Sequence, residues 1–135
     1  MAIVGFSFTN IAAERKDGPL GKMKVDNIAA IKKLEKVPLA LGAGKENCLK
    51  LTFSFEAKYE PNIGIIKLEG YLLYMDSEGS MEELMGQWKK EKKLPKELMQ
   101  GFLNNILSKC SVEAVLLSRE LNLPPSIPTP RVTAQ

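Results

Sequence analysis

From Cys48 to Glu60 the chain reads CLKLTFSFEAKYE, and apolar and polar residues take turns. Leu49, Leu51, Phe53, Phe55, Ala57 and Tyr59 share one parity, and Lys50, Thr52, Ser54, Glu56 and Lys58 take the other. A two-residue period predicts a strand with one buried and one wet face. EPNIG then reads as a turn, and Ile65–Asp76 (IIKLEGYLLYMD) returns as the antiparallel partner in a hairpin. Upstream, Ile3–Arg15 alternates around Val4, Phe6 and Phe8 and predicts a first strand. KDGPLG breaks it with Gly18, Pro19 and Gly21. Lys22–Ile28 predicts a second strand, with Met23 and Val25 on one face. Residues 29–36 fit two patterns. Ile28, Ile31 and Leu34 recur every third residue, which suits a helical turn, yet a strand continuing through a bulge gives the same spacing. Pro38 and LGAGKEN predict a loop.

Past the hairpin the period changes. DSEGS ends the sheet, and Ser80 with Glu83 forms a capping-box pattern that opens a short helix ending near Lys92. Pro95 suits the first turn of a longer helix, where its missing N–H costs nothing. That helix runs to about Leu121, roughly 40 Å at about 1.5 Å per residue. Leu98, Phe102, Ile106, Cys110, Ala114, Leu117 and Leu121 make one apolar stripe, and Met99, Leu103, Leu107 and Val115 make a second. Two stripes imply more than one neighbour. Pro124 and Pro125 then stop the helix, and residues 122–135 read as a proline-rich tail of extended form. Leu123, Ile127 and Val132 are its candidate anchors, on the sheet or on a neighbouring subunit.

The second strand of the hairpin carries an asymmetry. Ile66, Leu68, Gly70, Leu72 and Tyr74 form one face; the other begins with Lys67 and Glu69 and becomes Tyr71, Leu73 and Met75. One face of an antiparallel sheet is often solvated. An apolar end on that face requires a cover, which is a loop or helix of the same chain, a partner subunit or a bound client.

Composition narrows the chemistry. At 135 residues with 44% apolar and 26% charged positions, the chain suits one α+β domain spanning 1–135, with about four antiparallel strands followed by a short and a long helix. It has no histidine, which excludes a Ser-His-Asp or Cys-His arrangement. Cys48 and Cys110 are far apart and give neither a disulfide framework nor a metal-ligand spacing; they read as small buried apolar groups. LGAGKEN is not a phosphate loop, because Leu39 stands where its first glycine belongs and Glu46 where Ser or Thr must hold magnesium. No catalytic constellation, metal or cofactor is expected. There is no apolar run long enough to cross a membrane and no signal-peptide pattern, so no membrane insertion and a cytoplasmic location are expected.

WKKEKKLPK, Trp88–Lys96, concentrates the charge. Lys89, Lys90, Lys92, Lys93 and Lys96 stand against Glu91, a net of +4 in a chain whose total is +3. This is either a solvated helix end or a contact for RNA, the ribosome or acidic protein segments. Trp88 either closes the core or stacks on a partner.

The order of elements resembles the SecB protein-export chaperones. The likeness lies in LKLTFSFEAKYE and IIKLEGYLLYM as the last hairpin, and in ELMQGFLNNILSKCSVEAVLLSRELNLPPSIP as a long helix running into the exit Leu121–Pro125, over about residues 48–128. The resemblance implies a tetramer built from dimers, with apolar grooves that hold unfolded chains. Two departures stand beside it: the slight basic charge, and a proline tail where the family has an acidic, polar one. On their own physics, Tyr71, Leu73, Met75 and Trp88 are the candidates for polypeptide contact. Leu103 and Leu107 are the candidates for a homo-oligomer interface, dimer or tetramer. The expected function is a non-enzymatic oligomeric binding protein, a holdase for unfolded polypeptide; a ribosome- or RNA-associated factor using the five lysines is the alternative.

Overall fold

A computed structural model describes residues 2–16, 24–41, 44–61 and 63–124. Four strands, β1 (Ala2–Arg15), β2 (Lys24–Leu41), β3 (Gly44–Glu60) and β4 (Gly64–Met75), precede two helices, α1 (Glu78–Glu91) and α2 (Lys96–Glu120). The sheet is antiparallel in the order β1-β4-β3-β2. The hairpin read from the alternation is its centre. Leu51 faces Leu72, Phe53 faces Gly70 and Phe55 faces Leu68, and all of these are buried. Both helices pack on this side. Met81, Leu84 and Trp88 of α1 and Phe102, Ile106, Cys110 and Ala114 of α2 complete the core. Tyr74 meets Phe102 edge to face, with ring centroids 5.0 Å apart.

Gly70 is required by this packing. A Cβ there would fall 2.2 Å from the Ser7 carbonyl oxygen and 2.9 Å from the ring of Phe53. The gap lets Phe6, Phe8 and Phe53 gather over the sheet. Phe6 stacks on Phe53 at 5.2 Å, and Phe8 meets Phe6 edge-on at the same distance.

The two patterns over residues 29–36 are resolved as strand. Register shifts between Ile31 and Lys33, so a bulge at Lys32 places Ile31 opposite Phe53 and Leu34 opposite Leu51 on the helix side. A three-residue spacing thereby serves one face. Ile28 lies on the other face, opposite Glu56, and is 50% exposed. The first strand is also bulged, and Val4 does not alternate with Phe6 and Phe8: it falls in the register shift between Ile3 and Gly5 and is exposed.

Two boundaries differ from the sequence expectation, the loop before β3 and the start of α1, while α2 ends where expected. The loop expected at Pro38 and over Leu41–Asn47 is largely strand, since pairing continues to Leu41 opposite Gly44. Pro38 is tolerated because β2 is an edge strand, where a missing N–H breaks no ladder. The short helix begins at Glu78, and its N-cap is Ser77, not Ser80; the Ser77 hydroxyl accepts the Ser80 amide at 3.3 Å. Ser77 itself is held by Asp76, whose carboxylate accepts the Ser77 amide at 2.7 Å. The long helix ends at Glu120, ahead of the prolines, with Asn122 in the left-handed region at φ 54°. The expected turn after Lys16, Met23, and the tail residues Ile127 and Val132 lie outside the described residues.

Candidate functional site

The sheet has two unlike faces. On the side away from the helices, β3 presents Lys50, Thr52, Ser54, Glu56 and Lys58, all half-buried. Beside them on β4 run Lys67 and Glu69, then Tyr71, Leu73 and Met75. Alternation alone puts these three on one line, because successive Cβ atoms of a strand point to opposite faces. All three are half-buried. Register brings Gly5 beside Leu73 and Ser7 beside Tyr71 on β1, and Lys50 and Thr52 beside them on β3. Leu73 fills the space that a side chain at Gly5 would need: a Cβ there would stand 3.1 Å from Leu73 Cδ1. The Lys50 ammonium lies 4.8 Å above the Tyr71 ring, a cation–π contact that sets a charge at the edge of the apolar strip. Both helices pack on the opposite face of the sheet, and Met75, at the end of β4, shares a cavity with Glu78 and Met81 of α1.

Trp88 does not join it. The indole is 6% exposed, on the buried side of α1 among the core residues, with the sheet between it and Tyr71. The stripe position of Trp88, four residues after Leu84, is the sequence signal for this placement. The Lys92 ammonium reaches its ring from outside, at 5.7 Å.

Lys89, Lys90, Lys92, Lys93 and Lys96 are all exposed. They occupy the last turn of α1, its left-handed cap at Lys92 (φ 56°), the connection and the first residue of α2. Leu103 and Leu107 are half-buried, and Leu107 packs against the core. Two of the most exposed apolar residues of α2, Val112 and Leu116, belong to neither apolar stripe of the sequence, and the third, Val115, ends the second stripe. Val112 is 64%, Leu116 51% and Val115 37% exposed, on the side opposite Cys110 and Ala114. The available signal was the excess of apolar residues in SVEAVLLS over what one buried stripe can use.

The titratable groups point to structure. Burial pushes the Cys110 thiol up to about 12 and raises the Cys48 thiol, and both cysteines are free. Burial, then the hydrogen bond to Asp76, pushes the Tyr74 phenol up to about 12. Lys36 reaches Glu78 at 2.8 Å and Glu82 at 2.6 Å, tying β2 to the start of α1. Hydrogen bonds to the two carboxylates raise the lysine, and the bond from Lys36 lowers Glu78. Among the described residues, no cluster of acidic or sulfur side chains could hold a metal ion. Among the described residues, no helix is long and apolar enough to cross a membrane.

No family model and no curated protein matches the sequence. The fold does have a counterpart among solved structures. It is similar to the Rv1957 SecB-like chaperone of Mycobacterium tuberculosis, solved in complex with a ChAD peptide from the Rv1956 HigA1 antitoxin. The TM-score is 0.61 at 13% identity, over 97% of this chain and 87% of that one. The four-stranded antiparallel sheet followed by two helices is therefore the SecB-like fold.

Proposed function

We propose that this chain is a non-enzymatic binding protein that holds unfolded polypeptide on the open face of its sheet. The observation that carries the reading is the strip of Tyr71, Leu73 and Met75, half-buried on the face of the sheet opposite the helix-packed core. Covering such a strip gains roughly 25 cal/mol per Å² of apolar surface and asks for no particular client sequence. A fold shared with a chaperone solved in complex with a peptide supports the reading. Lys50 and Thr52 beside the strip supply a polar margin that keeps it soluble when empty.

In this reading a second copy of the chain covers Val112, Val115 and Leu116 on the back of α2. Exposed apolar patches of this kind on one element usually mark an interface. Leu103 and Leu107 continue that interface toward the start of the helix.

The test is suppression of aggregation. A chemically denatured client is diluted into buffer with the protein at substoichiometric to equal ratios, and light scattering is followed. Protection is expected from the native sequence and not from the double variant Tyr71→Ser, Leu73→Asp, whose circular dichroism should match the parent. Absence of protection at every ratio would sink the proposal, and full protection by the folded variant would move the binding surface elsewhere.

A further inference from the structure

The corner between α1 and α2 gathers five cations that, among the described residues, form no ion pair. Lys33, Lys36 and Lys58 on the sheet each have a carboxylate partner within 4 Å, namely Glu35, the Glu78–Glu82 pair and Glu56. Lys89, Lys90, Lys92, Lys93 and Lys96 are all exposed, and among the described residues none of them is in an ion pair. Helix electrostatics accounts for only part of this. Lys89 and Lys90 sit in the last turn of α1, where the helix dipole favours a cation. Lys93 lies beyond that helix, and Lys96 is the first residue of α2, where the same dipole opposes a positive charge. Lys92 occupies a left-handed cap at φ 56°, a position that favours glycine. At two of the five positions, Lys92 and Lys96, local stability would prefer another residue.

We propose that this corner is a docking surface for an acidic polypeptide segment, a stretch rich in Glu and Asp whose carboxylates are met by Lys89, Lys90, Lys93 and Lys96. Charge complementarity is the driving term, so the contact forms fast and weakens with salt. The surface is unsuited to single-stranded nucleic acid. Such platforms combine cations with aromatic rings on which bases stack. The sole aromatic residue of the corner, Trp88, is buried beneath Lys92. This inference does not rest on the holdase reading, whose strip lies on the far face of the sheet.

Fluorescence anisotropy tests it with three probes: a short labelled peptide alternating Glu and Ser, its Gln analogue, and a single-stranded oligodeoxynucleotide of equal charge. The native protein should bind the Glu peptide at low salt, bind the oligonucleotide more weakly and leave the Gln peptide free. The triple variant Lys89→Glu, Lys90→Glu, Lys93→Glu touches only exposed side chains and should retain its fold by circular dichroism. Its affinity for the Glu peptide should fall at least about tenfold, with client protection unchanged. Equal peptide binding by the variant, or no binding by the native protein, overturns the inference. Tighter binding of the oligonucleotide than of the peptide, lost in the variant, also overturns it in favour of a nucleic-acid surface.

Discussion

Arg15 caps the C-terminal end of α2: its guanidinium donates to the carbonyl of Leu121, the C-cap residue, at 2.8 Å and to that of Asn122 at 2.9 Å. The last residue of β1 thereby satisfies carbonyls that a helix end leaves without partners, with a cation where the dipole welcomes one. The same corner holds Leu123, buried, with its amide on the Ser118 carbonyl at 2.8 Å. Tyr59 adds a hydrogen bond from its hydroxyl to the Pro124 carbonyl at 2.7 Å. Arg15→Ala should cost about 1 kcal/mol, the net worth of an ordinary hydrogen bond, because the pair is exposed. Hydrogen exchange is the sensitive readout. The Leu121 and Leu123 amides should exchange faster while amides in the middle of α2 stay unchanged. Unaltered exchange at Leu123 would show that Tyr59 and burial hold the corner without the arginine.

Two glycines should respond in opposite directions to the same substitution. Gly70→Ala pushes a methyl against the Ser7 carbonyl and the Phe53 ring, both fixed by the sheet. Overpacking of that kind costs about 1–3 kcal/mol. Gly101 lies in α2, exposed, and a Cβ there meets nothing within 4 Å. Gly101→Ala should stabilise by about 0.5–1 kcal/mol, because alanine loses less backbone entropy in a helix. Paired urea melts decide both. Equal midpoints for the two variants would show that the sheet relaxes around Gly70.

The central hairpin was legible in the sequence because Leu49–Tyr59 alternates without interruption and no bulge disturbs it. Residues 29–36 were not, because the bulge at Lys32 converts a two-residue period into the three-residue spacing of Ile31 and Leu34. The capping pattern points three residues too far along, since Ser77 and Ser80 both suit an N-cap and the Asp76 contact favours Ser77. Of the candidate contact residues, Tyr71, Leu73 and Met75 share a face by parity alone. Trp88 is parted from them by the whole sheet, and a one-dimensional pattern carries no sign for which side a helix takes. The Arg15 cap was invisible for a simpler reason: its partners lie 106 and 107 residues away.

Stability should fall in alkali through Cys110. Its thiol is pushed from 9.0 up to about 12 by burial, so in the folded state it keeps its proton where the unfolded chain has lost it. A raised folded value contributes stability that is full below the unfolded value and lost as pH rises toward the folded one. The window is therefore about pH 9 to 12. The loss approaches roughly 4 kcal/mol at its upper end, at about 1.4 kcal/mol per unit. Tyr74, raised from 10.0 to about 12, adds to the same slope from pH 10 upward. Cys110→Ala should make the part between pH 9 and 10 shallower, where unfolded tyrosine is at most about half ionised and the buried Cys48 supplies the slope that remains. An unchanged slope in that interval, measured by urea melts at fixed pH, would place the thiol in contact with water.

Assembly is the remaining prediction, and α2 decides it. Cys110 and Ala114 face the sheet, and Val112 and Leu116 stand on the opposite side, 64% and 51% exposed, with Val115 beside them. A helix that needed only the sheet would carry polar residues there. A two-fold contact uses the same patch on both subunits, so each valine and leucine is buried against its counterpart region. Leu107 is a poor probe, because it also packs on the core and its loss would mix unfolding with dissociation. Val112→Glu and Leu116→Glu change exposed positions outside the core cluster and isolate the interface. The native protein should sediment as a dimer or larger at micromolar concentration. Each variant should run near the 15.0 kDa of the single chain with its helix content intact. A native species already at that mass would leave the back of α2 free, and the assembly argument would fail with it.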